Sequence, residues 1–413
     1  DFYPEEMAAR LKVFQTIRET CYKYGFREID SPAIEPFELF AKKSGEEIVN
    51  ETYSFHDKGG RFICLRPELT PSIARMIISR QKELVKPVKW LSLPRLWRYE
   101  RPQSGRLREF YQLNLDILGS PFIEADAEIL CAGIDVLLNL GLRNFSFRIS
   151  DRRLLPAILT ALGENVKDEL AFFRLVDKRD TMSEEMFRRE LAKLGVRSVD
   201  KLVEVLSVSG ELESVGECVD HVGVESKGLE QVVKDLLELA EILRWYGFQD
   251  YCEVDLSIVR GLDYYTGMVF EVYDKKKVHR ALFGGGRYDN LIELLGGDPM
   301  PAVGFGMGDA VLELMMREEG VWPTEEIKTD YYVLGIGNVR STVLRLVKSL
   351  RRDHVVEYDL LRRNISNQLR YADRINAEKV VFVGERDLAK GLVTVRDMAT
   401  GEEQRVTIDK FLG

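Results

Sequence analysis

The run from Leu107 to Leu118 constrains this chain more than any other segment, because apolar and polar residues alternate along it with no glycine or proline to break the pattern. A period of two predicts one long strand, with Phe110, Gln112, Asn114 and Asp116 on a single face. Two amides and a carboxylate are costly to bury without partners, so that face predicts a polar ligand cleft. Shorter strands are expected at Phe26–Ile29, Tyr53–His56, Ile63–Leu65 and Lys89–Leu93. They follow an opening helix from Pro4 to about Tyr24, which carries an apolar stripe of Met7, Leu11, Phe14, Ile17 and Tyr22 and is stopped by Gly25.

Residues 121 to 150 read as a helix and then a strand. Beyond them the pattern turns helical over Leu154–Leu162, Ser183–Leu194, Val199–Leu206 and Leu229–Tyr246. Strand-like, glycine-rich sequence resumes from Glu253 to Gly308, followed by a helix at Ala310–Met316. The expected organisation is an α+β domain in two parts, 1–150 and 232–320, interrupted by a helical insertion over 151–231. A linker over 321–329 includes Trp322-Pro323-Thr324-Glu325-Glu326 and leads to a small α/β domain over 330–413. In that last domain, strands at Tyr331–Leu334, Val355–Tyr358, Lys379–Val383 and Leu392–Val395 are expected. They are joined by helices at Arg340–Arg351, Ile365–Ile375 and near Ile408–Leu412.

Composition narrows the function classes. No apolar run is long enough to span a bilayer, and the acidic start Asp1-Phe2-Tyr3-Pro4-Glu5-Glu6 does not read as a secretory signal. Five cysteines, widely spaced and with no C-x-x-C pair, predict buried thiols in a reducing compartment, hence a cytoplasmic location. His56, His221, His279 and His354 have no metal-ligand spacing, so no protein-held zinc is expected. A net charge of −9 argues against a non-specific nucleic-acid coat. It leaves room for RNA at local basic patches: Lys89 to Glu109 holds six basic residues against two acidic ones. Residues 330–413 hold 15 basic against 12 acidic residues, a net of +3.

Three clusters could carry chemistry. In Leu65-Arg66-Pro67-Glu68-Leu69-Thr70-Pro71, the prolines place Glu68 and Thr70 on a rigid strand-to-helix connection, where they could hold an ammonium group. Taken alone, a capped helix start with an exposed salt bridge accounts for that stretch better. Arg95 to Pro102 and Arg106 to Gln112 read as two arginine-rich strands. Arg98 shares a face with Glu100, and Arg106 and Arg108 share one with Phe110 and Gln112. Arginine forks match phosphate oxygens and an aromatic ring can stack on a purine, although a solvated basic hairpin is the plain alternative. The third cluster, Arg260-Gly261-Leu262-Asp263-Tyr264-Tyr265-Thr266-Gly267, sets a cation among glycines and a tyrosine pair. Gly284-Gly285-Gly286-Arg287-Tyr288-Asp289 and Gly304-Phe305-Gly306-Met307-Gly308 allow close backbone approach, and neither is a Walker loop or a dinucleotide fingerprint.

Together these motifs resemble the histidyl-tRNA synthetases, a family of class II aminoacyl-tRNA synthetases, over nearly the whole chain. Tyr53 to Glu68 and Trp97 to Gln112 resemble the class II segments, and Arg260 to Gly267 with Gly284 to Asp289 resemble those particular to the histidine enzymes. The resemblance implies an antiparallel-sheet catalytic domain with a helical insertion, a C-terminal anticodon-binding domain and a homodimer. The implied substrates are L-histidine, ATP carried with Mg2+, and histidine tRNA. Glu68, Thr70, Gln112, Asp116, Tyr264, Tyr265 and Tyr288 would surround histidine. Arg98, Glu100, Arg106, Arg108, Phe110 and Arg260 would meet ATP, with Arg98 and Arg260 the catalytic pair. Two positions depart from the family: glutamate is common where Asp116 stands, and Val311 replaces a nucleotide-binding arginine, as in archaeal-looking members. Two alternatives stand beside this reading: a non-catalytic histidine-sensing regulatory subunit of ATP phosphoribosyltransferase, built on the same catalytic fold, and, in a different class, a non-catalytic tRNA-binding protein.

Overall fold

The computed structural model describes all residues except 42–49, 102, 104, 165, 167, 224–226, 262–263, 277–279, 325–326 and 413. Pro102, Ser104, Leu262, Asp263, His279, Glu325 and Glu326 of the sequence motifs therefore lie outside the described residues. The chain forms two compact units, one of Val13–Trp322 and one of Pro323–Gly413 together with Asp1–Lys12.

The larger unit carries strands β1 (Arg27–Glu28), β2 (Ile34–Pro36), β3 (Ser54–His56), β4 (Phe62–Leu65), β5 (Val88–Ser92), β6 (Arg95–Trp97) and β7 (Glu109–Leu118). It continues with β8 (Phe145–Asp151), β9 (Ser209–Glu211), β10 (Cys252–Asp255), β11 (Met268–Asp274), β12 (Phe283–Arg287) and β13 (Ala302–Gly308). The main sheet runs β1-β5-β7-β13-β12-β11-β8-β10-β9, with β6 also paired to β7, and β2-β4-β3 form a small separate sheet. Pairing along the centre, from β5 through β7, β13, β12 and β11 to β8, is antiparallel, while β1 with β5 and β10 with β8 are parallel.

Register explains why the centre of this sheet can host a site. Residues directly opposite on antiparallel strands share a face. Asn114 pairs with Gly306, Gly306 with Gly284, Gly284 with Glu271 and Glu271 with Arg148, so one row across the sheet is polar at both ends and bare in the middle. Asp116 pairs with Gly304, which pairs with Gly286. The opposite face carries Leu113, Leu115 and Ile117 with Phe147, Phe270, Phe283 and Phe305, all buried in one apolar core under the helix Ile123–Asn139. Arg287, at the end of β12, ties that helix down: its guanidinium grips Asp126 at 2.6 and 3.0 Å and also donates to the carbonyls of Ser120 and Phe122.

The stretch between β8 and β10 is helical except for β9, and its last helix, Lys227–Tyr246, extends well past residue 231. The opening helix spans Pro4–Lys23, but Leu11 and Tyr22 of the expected stripe are exposed. Its buried line is Val13, Phe14, Ile17 and Cys21, the three-and-four spacing that one helix face permits. The arginine-rich segment also differs from expectation. Strand β6 stops at Trp97 and β7 starts at Glu109, so Arg98 to Arg108 lie in a connection where strand alternation does not apply. Nor do the six basic residues form one patch, since Lys89 pairs with Glu128, and Arg95 with Glu109 at 2.8 Å.

The smaller unit is a five-stranded sheet of β14 (Thr329–Ile336), β15 (Val356–Tyr358), β16 (Ala377–Gly384), β17 (Leu392–Asp397) and β18 (Glu403–Thr407), ordered β15-β14-β16-β17-β18. Strands β15, β14 and β16 are parallel, while β17 and β18 pair antiparallel. Sequence periodicity misses β18 because Glu403-Gln404-Arg405 is an exposed edge with no apolar alternation.

The core side of β12 leaves no room for a side chain at Gly285, where a Cβ would overlap the Gly304 carbonyl oxygen and lie 2.5 Å from the Phe305 Cβ. Gly285→Ala is expected to destabilise the fold by about 3 kcal/mol or to prevent folding; urea unfolding or soluble yield checks this, and a wild-type midpoint would contradict the packing described.

Candidate functional site

A cleft of about 1140 Å³ opens over the bare rows of β12 and β13. Twelve of the thirteen residues expected to bind line it: Glu68, Thr70, Arg98, Glu100, Arg106, Phe110, Gln112, Asp116, Arg260, Tyr264, Tyr265 and Tyr288. Arg108 is not among them; its Nε donates to the Glu100 carbonyl at 3.1 Å and its guanidinium lies over the Tyr99 ring. Glycine makes this floor for want of space rather than for backbone freedom. A Cβ at Gly304 would come within 2.5 Å of Asp116 Oδ1, one at Gly306 within 2.9 Å of the Gln112 amide carbon, and one at Gly284 within 3.0 Å of the Arg260 guanidinium.

Local chemistry fixes each group. Glu68 and Thr70 sit where the chain turns into the helix Thr70–Arg80, which starts with Pro71 in its first turn. Buried Glu35 holds that helix by accepting from Ser72 at 3.1 Å and pairing with Arg75 at 2.7 Å. Glu68 and Thr70 both act on the Tyr264 hydroxyl: burial first, then the Glu68 charge, pushes its pKa well above the ordinary tyrosine value, while Thr70 works against them. Tyr264 packs against both Tyr265 and Tyr288 at ring separations of 5.0 and 5.8 Å. The Tyr288 hydroxyl donates to Asp116. Burial of Asp116 outweighs that bond and pushes its pKa up to about 7, so the carboxyl stands near the balance between its two protonation states at neutral pH.

The cations are also held. Arg98 donates from Nε to the Pro67 carbonyl at 2.8 Å and lies over the Phe110 ring. Buried Glu100 pairs with Arg106 at 2.9 Å and lies 3.9 Å from Arg98. Arg260 has a left-handed backbone, φ 55°, a conformation that costs a non-glycine residue energy and must be enforced by its surroundings. Its guanidinium pairs with Glu271, which also accepts from the Tyr273 hydroxyl. Burial alone would lower the Arg260 pKa, but Glu271 and its other neighbours raise it, so the group stays charged.

Sequence reasoning missed Glu271, Tyr273, Arg148 and Arg280, all of which line the cleft. Glu271 does leave a signal, as a carboxylate interrupting the apolar run Met268-Val269-Phe270-Val272. Its partner cannot be read from spacing, because Arg260 reaches it through an irregular connection. Among the described residues, no group of three or more histidine, cysteine or acidic side chains could hold a metal ion, and no helix is long and apolar enough to cross a membrane.

Such a cleft combines acidic and phenolic groups suited to a cationic amine or an imidazole with fixed guanidiniums beside an aromatic ring, suited to a nucleotide. Comparison with known proteins agrees. A family model described as histidyl-tRNA synthetase matches residues 1–309, and one described as anticodon binding domain matches residues 330–413. Histidine–tRNA ligases of Natronomonas pharaonis and Haloarcula marismortui are each 46% identical, covering 100% of this chain and 95% of their own lengths. The crystal structure of histidyl-tRNA synthetase from Nostoc sp. PCC 7120 superposes with a TM-score of 0.80 over 99% of this chain and 96% of that one, at 22% identity.

Asp116 yields a pH prediction. A carboxyl whose folded pKa is raised from 3.8 to about 7 adds stability below its ordinary pKa and loses it as pH rises through about 7. In the unliganded protein, Asp116→Asn should therefore gain stability relative to wild type between about pH 5 and about pH 8. Urea midpoints at the two pH values measure this; a difference independent of pH would show that Asp116 is not ionising in a buried position.

Proposed function

Because the chain belongs to the histidyl-tRNA synthetase family and its reaction is that of a histidine–tRNA ligase, we propose that this cleft is where histidine is activated with ATP. The observation that carries the assignment is the meeting of Arg98 and Arg260, 162 residues apart in sequence, in one cleft with the Glu68, Asp116 and tyrosine groups. In the first half-reaction a histidine carboxylate oxygen bonds to the α-phosphorus of ATP, and the bond from that phosphorus to the pyrophosphate oxygen breaks. Histidyl adenylate and pyrophosphate result. In the second, a hydroxyl of the terminal tRNA ribose attacks the activated carbonyl and AMP leaves.

Each residue has a physical task in this reading. Glu68 and Thr70 bind the amino group, while Gln112, Asp116 and the three tyrosines receive the side chain. An acceptor at Asp116 and a hydroxyl at Tyr264 discriminate against residues lacking the imidazole's donor and acceptor pair, since a wrong side chain leaves buried polar groups unpaired. Asp116 is one methylene shorter than the glutamate common in the family, and its bond to Tyr288 supports a compensating role for that hydroxyl. Phe110 stacks on adenine. Arg98 and Arg260 neutralise the α-phosphate as charge develops, with catalysis coming from position and electrostatics rather than from a protein nucleophile. Glu100 acts by aligning Arg98 and Arg106. ATP enters with magnesium as part of the substrate, its phosphates supplying much of the coordination.

Residues 330–413 receive the anticodon in this scheme. The match to an anticodon binding domain and the local charge of +3 support it. A homodimer involving strands β2 to β4 belongs to the same reading, supported by Ile34, Phe55 and Phe62 standing exposed on that sheet. A cytoplasmic location is supported by five free thiols. A histidine-sensing regulatory subunit is not favoured, because the cleft keeps both arginines and the full-length relatives are ligases.

Histidine-dependent exchange of labelled pyrophosphate into ATP tests the reading directly. Wild type should show it, and Arg260→Ala should reduce it by about 10²–10³-fold in protein that keeps its circular dichroism spectrum but melts lower, because Glu271 loses its partner. Full activity in the variant would remove Arg260 from the reaction, and no histidine dependence in wild type would overturn the assignment.

A further inference from the structure

We propose that Arg280 takes the outer phosphates of ATP, supplying the charge that Val311 does not. This rests on the reading of the cleft as the ATP site. Arg280 and Val311 both line the cleft, and they meet at one point of it. A Cβ built on Gly105 would lie 2.9 Å from the Val311 side chain and 3.8 Å from Cδ of Arg280. A guanidinium on this stem therefore reaches the region served by residue 311, although it departs from a different part of the chain, the connection between β11 and β12.

The charge pattern points to an anionic occupant. Arg98 and Arg106 share Glu100, and Arg260 has Glu271. Arg280 makes no ion pair or hydrogen bond with any described residue. Two cations and two carboxylates act on it without neutralising it: desolvation first, then Arg106, lowers its pKa, with Arg98 acting in the same direction and Glu100 and Glu271 against it. The other described arginines with a shifted pKa, Arg95, Arg153, Arg188, Arg260 and Arg287, all shift upward, and each has a carboxylate partner. Repulsion among Arg98, Arg106 and Arg280 is relieved by a ligand with several negative oxygens. Guanidinium forks bind such oxygens in pairs. The β- and γ-phosphates of ATP, or the pyrophosphate of the reverse reaction, have that chemistry, whereas AMP and histidine do not extend to it.

Arg280→Ala separates these cases. The residue as a whole is exposed although its guanidinium is partly desolvated beside Arg98 and Arg106, so its loss should leave the melting temperature close to wild type. In histidine-dependent exchange the variant should raise KM for both ATP and pyrophosphate by about ten- to a hundredfold, while KM for histidine and the affinity for AMP stay within about twofold. Unchanged KM values for ATP and pyrophosphate would overturn the proposal, as would parallel weakening of AMP and histidine, which would indicate a general distortion of the cleft. Wild-type protein with no exchange at all would instead overturn the underlying ATP-site reading, so the two failures are distinct.

Discussion

The structure depends on an absence of side chains at the middle of its main sheet. Strands β12 and β13 place Gly284, Gly286, Gly304 and Gly306 on one face, between the polar face of β7 and the Glu271–Arg148 end of the same row. The vacated layer is where the Arg260 guanidinium, the Asp116 carboxyl and the Gln112 amide come against backbone. On the other face, phenylalanines and leucines fill the core, so one sheet is at once a packed wall and an open floor. Loss of ordering entropy at the glycines is the cost of that arrangement, and the aromatic and aliphatic packing behind them offsets it.

Much of this was legible in the sequence. The period of two from Phe110 to Asp116 located the cleft face, and motif order identified the family whose relatives align along the full chain. Misreadings have specific physical origins. Alternation from Arg98 to Arg108 implies shared strand faces that the described residues there do not form, and Arg108, which the resemblance sets beside ATP, stands off the cleft lining. In the opening helix the apolar line through Leu11 and Tyr22 is exposed, because hydrophobicity alone does not tell which of several apolar lines packs. Glu271 and Arg280 went unnoticed because their significance lies in partners distant along the chain, brought close by strand register and by the meeting of two connections. Val311, read as a missing charge, marks a place where composition at one position says little until its spatial neighbour is known.

The cleft keeps its cations in place before any substrate arrives. Arg98 is held by the Pro67 carbonyl and faces Glu100, Arg106 pairs with Glu100 and Arg260 with Glu271, which limits the reorganisation needed when phosphate charge enters. The same carboxylates lower the local positive potential, so the site trades some ground-state attraction for geometry. Asp116 represents the opposite compromise: a buried acid beside Tyr288 is unfavourable for the empty protein at neutral pH, and an imidazole donor is the kind of partner that would satisfy it.

The clamp of Arg287 on Asp126 reaches further than anchoring. Arg287 grips the helix behind the sheet, and the very next residue, Tyr288, touches Asp116 in front of it. A single peptide link thus joins the rear packing to the recognition pocket. A shift of the rear helix is thereby passed to the Tyr288 hydroxyl, and the position of a group in front of the sheet is set partly by packing behind it.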